Sequence, residues 1–293
     1  MKRVILLVLC LCVIAASVIT YSFFGDNVET KMGFNTGIKR IEPVDLPVVN
    51  QFSVGELLYK EGTVHEPWDK LKAQNKDIVG WINIMGTKID YPVVKGTDND
   101  YYLKHSVDHK LRPAGRGYFG SIFMDYRVDE NRSRNVVIYG HRMGASGTMF
   151  THLKYYYEVQ QYKRMPYIKF DTPEAVHTWQ IFSVFIIDAN KPHEFDFRKQ
   201  RFNSDKEWTD FITECKRRSV VNLPVEVGVN DRIITLQTCT YEINNARLIV
   251  MARMVNADES IAVDVSKAEK NPKTLYPEAW YKKYGGKMPV FAD

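Results

Sequence analysis

The spacing of apolar residues divides this chain into stretches of different character. An uncharged run from Val4 to Phe24 comes first, followed by a polar, irregular stretch over 25–50 interrupted by Gly25, Gly33, Gly37, Pro43 and Pro47. Over 53–76, Leu57, Leu58, Val64, Trp68 and Leu71 recur among charged residues at helical spacing, and Gly62 and Pro67 split the stretch into two short helices. From Ile78 the period shortens. IVGWINI (78–84), a turn-like Met-Gly-Thr and KIDYPVV (88–94) predict a hairpin, rich in the β-branched and aromatic residues that suit a pleated, half-buried surface. The same composition predicts strands at 117–125, 135–141, 167–170, 177–188, 232–240 and 246–254. Within 204–219, Trp208, Phe211, Ile212 and Cys215 fall on one helical face, which makes Cys215 a small buried hydrophobe. About eight short strands with few helices predict a mainly β, closed barrel of antiparallel or mixed pairing. Residues 257–293 are polar, then aromatic around LYPEAWYKKYGG, and their pattern leaves open whether they pack back on the domain or trail from it.

The first run predicts a transmembrane anchor. At about 1.5 Å per residue, 4–24 would span roughly 31 Å as a helix, against a hydrocarbon core of about 30 Å. A cleaved signal peptide has a shorter apolar region, about 7–15 residues, before a small-x-small site. Here Ala15-Ala16-Ser17 lies inside the run, with Val-Ile-Thr-Tyr still to come. Lys2 and Arg3 precede the span and Asp26 and Glu29 follow it, so residues 1–3 are expected in the cytoplasm and everything after Phe24 outside. Residues 25–50 then read as a stalk reaching at most roughly 85 Å. The expected organisation is completed by a catalytic domain over 51–256 and a C-terminal extension over 257–293.

Composition adds exclusions. The net charge of +5 is mild, and no dense Lys/Arg stripe with interleaved aromatics is present, which argues against a nucleic-acid partner. The four cysteines show no C-x-x-C pairing, so nothing calls for a structural zinc, and no motif calls for another metal or cofactor. Cys10 and Cys12 lie in the apolar run, leaving Cys215 and Cys239 in the outer part.

Cys239 ends the apolar pattern RIITLQTC and precedes the polar loop TYEINN, a position a substrate can reach. Eight residues on, Arg247 opens the strand ARLIVMARM. A hairpin between the two strands would set both residues near one rim, where a guanidinium lowers a thiol pKa and stabilises a developing oxyanion. His141 closes NVVIYGH before the glycine-containing loop RMGASG, a setting none of the other six histidines has, and supplies the acid and base that a thiol nucleophile needs. Glu242, between Cys239 and Arg247, reads as a solvated loop carboxylate rather than a third member of a triad.

TLQTC, followed by that arginine, resembles the TLxTC signature of sortases. NVVIYGHRMGASGTMFTHL is similar to the segment carrying the sortase histidine, and its GTMF continuation resembles class B. DIVGWINIMGTKIDYPVV, DNDYYLKHS and SIFMDYR resemble further segments of that class, so the likeness covers roughly residues 55–255. It implies an eight-stranded barrel with N-terminal helices and an inserted helix before the cysteine strand. It also implies a cysteine transpeptidase on the outer face of a Gram-positive membrane. Cys239 would form a thioester with a C-terminal sorting signal of secreted proteins, His141 would protonate the departing amine, and Arg247 would hold substrate and oxyanion. A peptidoglycan precursor or cross-bridge amine would then accept the acyl group. Asn99, Leu103 and Gln237 match positions lining the signal-peptide groove. The extension past the arginine strand is longer than the class leads one to expect. Pilin polymerisation, in which a lysine supplies the amine, is the neighbouring reading. A hydrolytic cysteine peptidase lacks its papain-like signature, and a non-catalytic membrane-tethered barrel leaves Cys239, His141 and Arg247 without a purpose.

Overall fold

The structure, a computed structural model, describes residues 65–114, 117–129, 131–144 and 146–291. The predicted span over 4–24, the stalk over 25–50 and the first of the two helices expected within 53–76 lie outside these residues.

Eight strands close a barrel: β1 (Ile78–Ile84), β2 (Ile89–Val94), β3 (Ile122–Met124), β4 (Asn135–Tyr139), β5 (Tyr167–Asp171), β6 (Val176–Asp188), β7 (Ile233–Cys239) and β8 (Ala246–Met254). Around the barrel they run β1-β2-β3-β4-β7-β8-β6-β5 and back to β1. Two neighbouring pairs, β2/β3 and β4/β7, are parallel, and the others are antiparallel. The expected hairpin is β1–β2, with Ile84 paired to Ile89 across the Met-Gly-Thr turn. The interior is closed by branched side chains such as Ile82, Val93, Ile138, Val184, Leu236, Leu248 and Val250, none with measurable exposure.

The helices lie outside this wall. They are α1 (Trp68–Gln74), the single turn α2 (Tyr101–Lys104), α3 (Val159–Arg164), α4 (Asp205–Arg218) and α5 (Glu278–Tyr284), with a 3₁₀ segment over Phe150–Tyr157. α4 is the helix expected before the cysteine strand. Ser204 caps it by accepting from the Glu207 amide, and Lys216, Arg217 and Arg218 complement the negative end of its dipole. Its apolar face covers β6, where Ser183 Oγ donates to the Cys215 carbonyl at 2.6 Å. β6 is therefore buried on both sides from Thr178 to Asp188, and its burial is continuous rather than alternating.

The stretch 117–125, expected as one strand, is two. Gly117–Tyr118 pairs with Pro113–Ala114, and β3 begins only at Ile122. Gly120 breaks the run with φ at +55°, and a Cβ there would sit 2.4 Å from the Leu103 carbonyl oxygen. The close approach of two backbones thus requires glycine and turns the chain. The C-terminal residues pack back on the domain. Glu269–Lys270 pairs with Val221–Asn222, Asn271 Nδ2 donates to the Ser219 carbonyl at 2.6 Å, and the Leu275 amide donates to Arg217 at 2.9 Å.

Candidate active site

Three neighbouring strands, β4, β7 and β8, carry the three residues singled out for chemistry to one end of the barrel. Cys239 is the last residue of β7 and is paired in register with Arg247 of β8. Residues directly opposite in an antiparallel pair share a face, with Cβ atoms about 4.5–5.5 Å apart. On the other side of β7, the parallel ladder pairs Gln237 with Tyr139, and the Gly140 amide extends it by donating to the Gln237 carbonyl at 3.0 Å. His141 follows Gly140 directly, where the chain leaves β4, and Cys239 is the last residue of β7. The thiol, the imidazole and the guanidinium thus come from adjacent positions along one rim.

Local sequence explains why the chain leaves each strand there. A Cβ at Gly140 would approach Ile122 Cδ1 at 2.5 Å and the Phe150 ring at 2.6 Å, so only glycine lets β4 end against β3 and the 3₁₀ segment. The loop that follows is held: the His141 carbonyl accepts from the Phe150 amide at 3.0 Å, and the Met143 amide donates to Thr151 Oγ1 at 2.7 Å. His141 Nε2 lies 2.8 Å from the Leu103 carbonyl oxygen. A carbonyl only accepts, so Nε2 carries a proton and Nδ1 of the neutral ring has the free lone pair. That carbonyl is itself fixed, because Gly120 packs on it and buried Tyr102 ties α2 to Asp77 and Asn75 at 2.8 and 2.9 Å.

Cys239 is half-buried and reduced. Arg247 is also half-buried, and its Nη1 donates to the Asn245 and Ala246 carbonyls at 3.2 and 3.0 Å, which steadies the guanidinium beside the loop. Cys215, as its helical position implied, is fully buried, and burial pushes its thiol well above the ordinary range.

The expected groove residues separate. Gln237 is on the same face of β7 as Cys239, two residues earlier, and half-buried. Leu103 is exposed on α2, with its carbonyl on His141. Asn99 has its side chain engaged elsewhere: Nδ2 donates to Asp125 at 3.2 Å and Oδ1 accepts from the Tyr126 amide at 3.1 Å. Asp125 is a residue the sequence reading did not single out, although SIFMDYR contains it. It is completely buried, and it receives Arg127 Nη2 at 2.7 Å and Tyr139 Oη at 2.6 Å. Burial alone would raise its carboxyl, but hydrogen bonds from Arg127 and Tyr139 outweigh it and hold the pKa at about 2. Tyr139, buried and beside that carboxylate, has its phenol pushed well above the usual range.

A second connection also went unassigned. Arg142, next to His141, donates to Thr240 Oγ1 at 3.1 Å, next to Cys239, and lies over the Tyr241 ring at 4.6 Å. The Thr240 hydroxyl donates in turn to Glu242. Glu242 is half-buried rather than solvated, and its carboxylate bonds Thr240, not His141. The residues adjacent to the histidine and the cysteine are therefore tied together across the two strand ends.

Comparison with known proteins agrees with this geometry. A sequence model of the Sortase domain family matches residues 82–255. Sortase B of Staphylococcus aureus is 35% identical over 195 residues, covering 66% of this chain and 76% of that protein. Sortase B of Listeria monocytogenes is 33% identical over 197 residues, with the same coverages of 66% and 76%. Among solved structures, Clostridium perfringens sortase B superposes with a TM-score of 0.59 at 32% identity, covering 64% of this chain and 99% of that one. The S. aureus sortase B–substrate complex gives 0.58 at 35% identity, covering 65% and 85%. With the eight-stranded barrel and a cysteine at the end of a TLxTC strand, these matches show that the chain belongs to the sortase family, in class B, and is a cysteine transpeptidase.

Proposed function

We propose that Cys239, His141 and Arg247 are the reacting residues, and that the enzyme joins secreted proteins bearing a C-terminal sorting signal to a cell-wall amine. The observation that supports this reading is the pairing of Cys239 with Arg247 across β7 and β8, together with the parallel ladder of β4 and β7, which ends two residues before His141. His141 Nδ1 takes the thiol proton of Cys239, and the thiolate attacks the scissile carbonyl. Arg247 stabilises the tetrahedral oxyanion. The C–N bond breaks as the departing amine takes the proton from Nδ1, leaving a thioester. An acceptor amine then attacks, giving a proton to Nδ1, and the C–S bond breaks as Nδ1 returns that proton to the Cys239 sulfur. Support for the two substrates comes from S. aureus sortase B, solved as a substrate complex, and from a sortase B solved in complex with triglycine. Leu103 and Gln237 line the signal-peptide groove in this reading. Asn99 acts there through Asp125 and the backbone of Tyr126, positioning α2.

The same reading places the enzyme at the membrane. Residues 4–24 anchor it in lipid with residues 1–3 in the cytoplasm, 25–50 form the stalk, and the domain over 51–256 works outside. The uncharged length of the run and its flanking Lys2 and Arg3 support this. Protease added to intact protoplasts should digest the domain. Protection of the domain would overturn the orientation.

The activity is tested with the detergent-solubilised chain, a sorting-signal peptide library, and triglycine as acceptor, followed by mass spectrometry. A thioester on Cys239 that passes to the amine, and is missing in Cys239→Ala, is the expected result. Hydrolysis with every amine tried, lysine peptides included, would favour a peptidase. Transfer to a lysine side chain alone would favour pilin polymerisation. A chain that forms no adduct with any peptide would point to a binding module.

A further inference from the structure

We infer that the C-terminal helix α5 is a clasp on the catalytic hairpin, and that Lys283 and Tyr284 are positioning residues for Arg247. The inference rests on the assignment of Cys239 and Arg247 made above.

The sortase match ends at residue 255, so the segment that supplies α5 lies beyond the family domain. It runs back over the domain and ends against the loop 240–245, which joins Cys239 to Arg247. Lys283 Nζ and Tyr284 Oη both donate to one acceptor, the Glu242 carbonyl, at 2.6 and 2.8 Å. At the other end of α5, Glu278 forms an ion pair with Lys191, in the turn after β6. That turn holds the same loop: the Ala189 amide donates to the Asn245 carbonyl at 3.1 Å, and Asn245 Nδ2 donates to Asn190 Oδ1 at 2.9 Å. No residue of α5 is fully buried, so the helix adds little to the core. Trp280 and Tyr281 pack on Tyr276, and the last two residues, Lys283 and Tyr284, reach the loop.

The loop needs support. Tyr241 is 67% exposed, and Asn245 sits in the left-handed region at φ 55°. Its backbone is also the seat of the catalytic guanidinium, since Arg247 Nη1 donates to the Asn245 and Ala246 carbonyls. Glu242 bonds Thr240, beside Cys239. Movement at Glu242 is therefore transmitted toward the nucleophile on one side and toward the oxyanion-binding group on the other. Surface hydrogen bonds are individually weak. Catalysis is more sensitive than stability to such a contact, because misplacing a reacting group by about 1 Å can cost about 10²-fold in rate.

The test uses the full detergent-solubilised chain and the peptide selected by the library above. The double variant Lys283→Met/Tyr284→Phe is compared with the parent, with Lys287→Met as a charge control. Active sites are counted by iodoacetamide alkylation of Cys239, located by peptide mapping, so that rates are expressed per reactive thiol. The double variant should form the thioester about tenfold more slowly at saturating peptide, with KM within about twofold. Its melting temperature should stay within about 2 °C of the parent. Lys287→Met should match the parent, and Lys283→Arg should recover more rate than Lys283→Met because it keeps a cationic donor. A double variant with parental rate would overturn the clasp. So would a rate loss that follows the melting temperature, or one that Lys287→Met reproduces. A parent chain that alkylates at Cys239 but forms no thioester would instead overturn the site assignment, and this inference with it.

Discussion

Cys215 and Cys239 set the two halves of this molecule side by side. Cys215 lies on the apolar face of α4 against β6, sealed from water, its thiol made harder to ionise by burial. Cys239 ends β7, half-buried and opposite Arg247, with the end of the parallel β4 on the other side. The difference comes from where each element stops. α4 presents its cysteine in mid-helix to a sheet face that is already apolar. β7 delivers its cysteine to a strand end, paired with Arg247 and followed by the loop 240–245. A thiol becomes a nucleophile by its surroundings, and the proposed role of Cys239 rests on that difference.

The sharpest way to break the comparison is to exchange the consequences of removing each thiol. Cys239→Ala should abolish thioester formation, because no sulfur is left to acylate, while leaving the melting temperature within about 2 °C. Mass spectrometry of the acyl-enzyme and thermal unfolding check the two halves. Arg247→Ala should lower kcat by about 10²–10³-fold, as loss of an oxyanion donor does, with a smaller change in KM. A change confined to KM would mean that Arg247 only holds the peptide. Asp125→Asn tests the buried polar support below the rim. It should destabilise the domain by about 2 kcal/mol at neutral pH, measured by urea unfolding. The Asp125 pKa is depressed in the folded state, so its stabilisation is complete above the unfolded value near 4 and is lost as pH falls toward about 2. The difference between Asp125→Asn and the parent should shrink over that window. Cys215→Ala is the smallest effect, about 1 kcal/mol of stability from a slightly underfilled site, with kcat unchanged. In the parent, iodoacetamide should reach Cys239 in the native state and Cys215 only after unfolding.

Local chemistry made a large part of this legible. Branched and aromatic runs located the strands, because those side chains fit a pleated wall with a buried face. The apolar periodicity of 204–219 placed Cys215 correctly, because a helix repeats every 3.6 residues whatever it packs on. Elements without such a period were missed. The 3₁₀ segment Phe150–Tyr157 buries Phe150, Leu153 and Tyr156 at a spacing of three rather than 3.6, and it packs against β7 and β8. The break at Gly120 depends on the Leu103 backbone, seventeen positions earlier in the chain, and nothing in GYFGSIFMD announces that neighbour.

The site divides along the same line. Cys239, Arg247 and the hairpin between them are near in sequence, so spacing alone predicted that they lie near one rim; their direct pairing is a matter of register. His141 is distant in the chain and was identified from its strand-end setting and its resemblance. Only the parallel pairing of β4 with β7 brings its strand end beside that of the cysteine. The Nε2 proton on the Leu103 carbonyl, the Arg142–Thr240 tie and the buried Asp125 likewise join residues from separate elements. The return of the C-terminal segment to Glu242 belongs with them. Periodicity and local propensity act over a few residues, so the chain's order carries strands, caps and the nucleophile's own hairpin. Strand neighbours, shared acceptors and the docking of a tail depend on loop closure across long separations. Those were decided when the barrel closed.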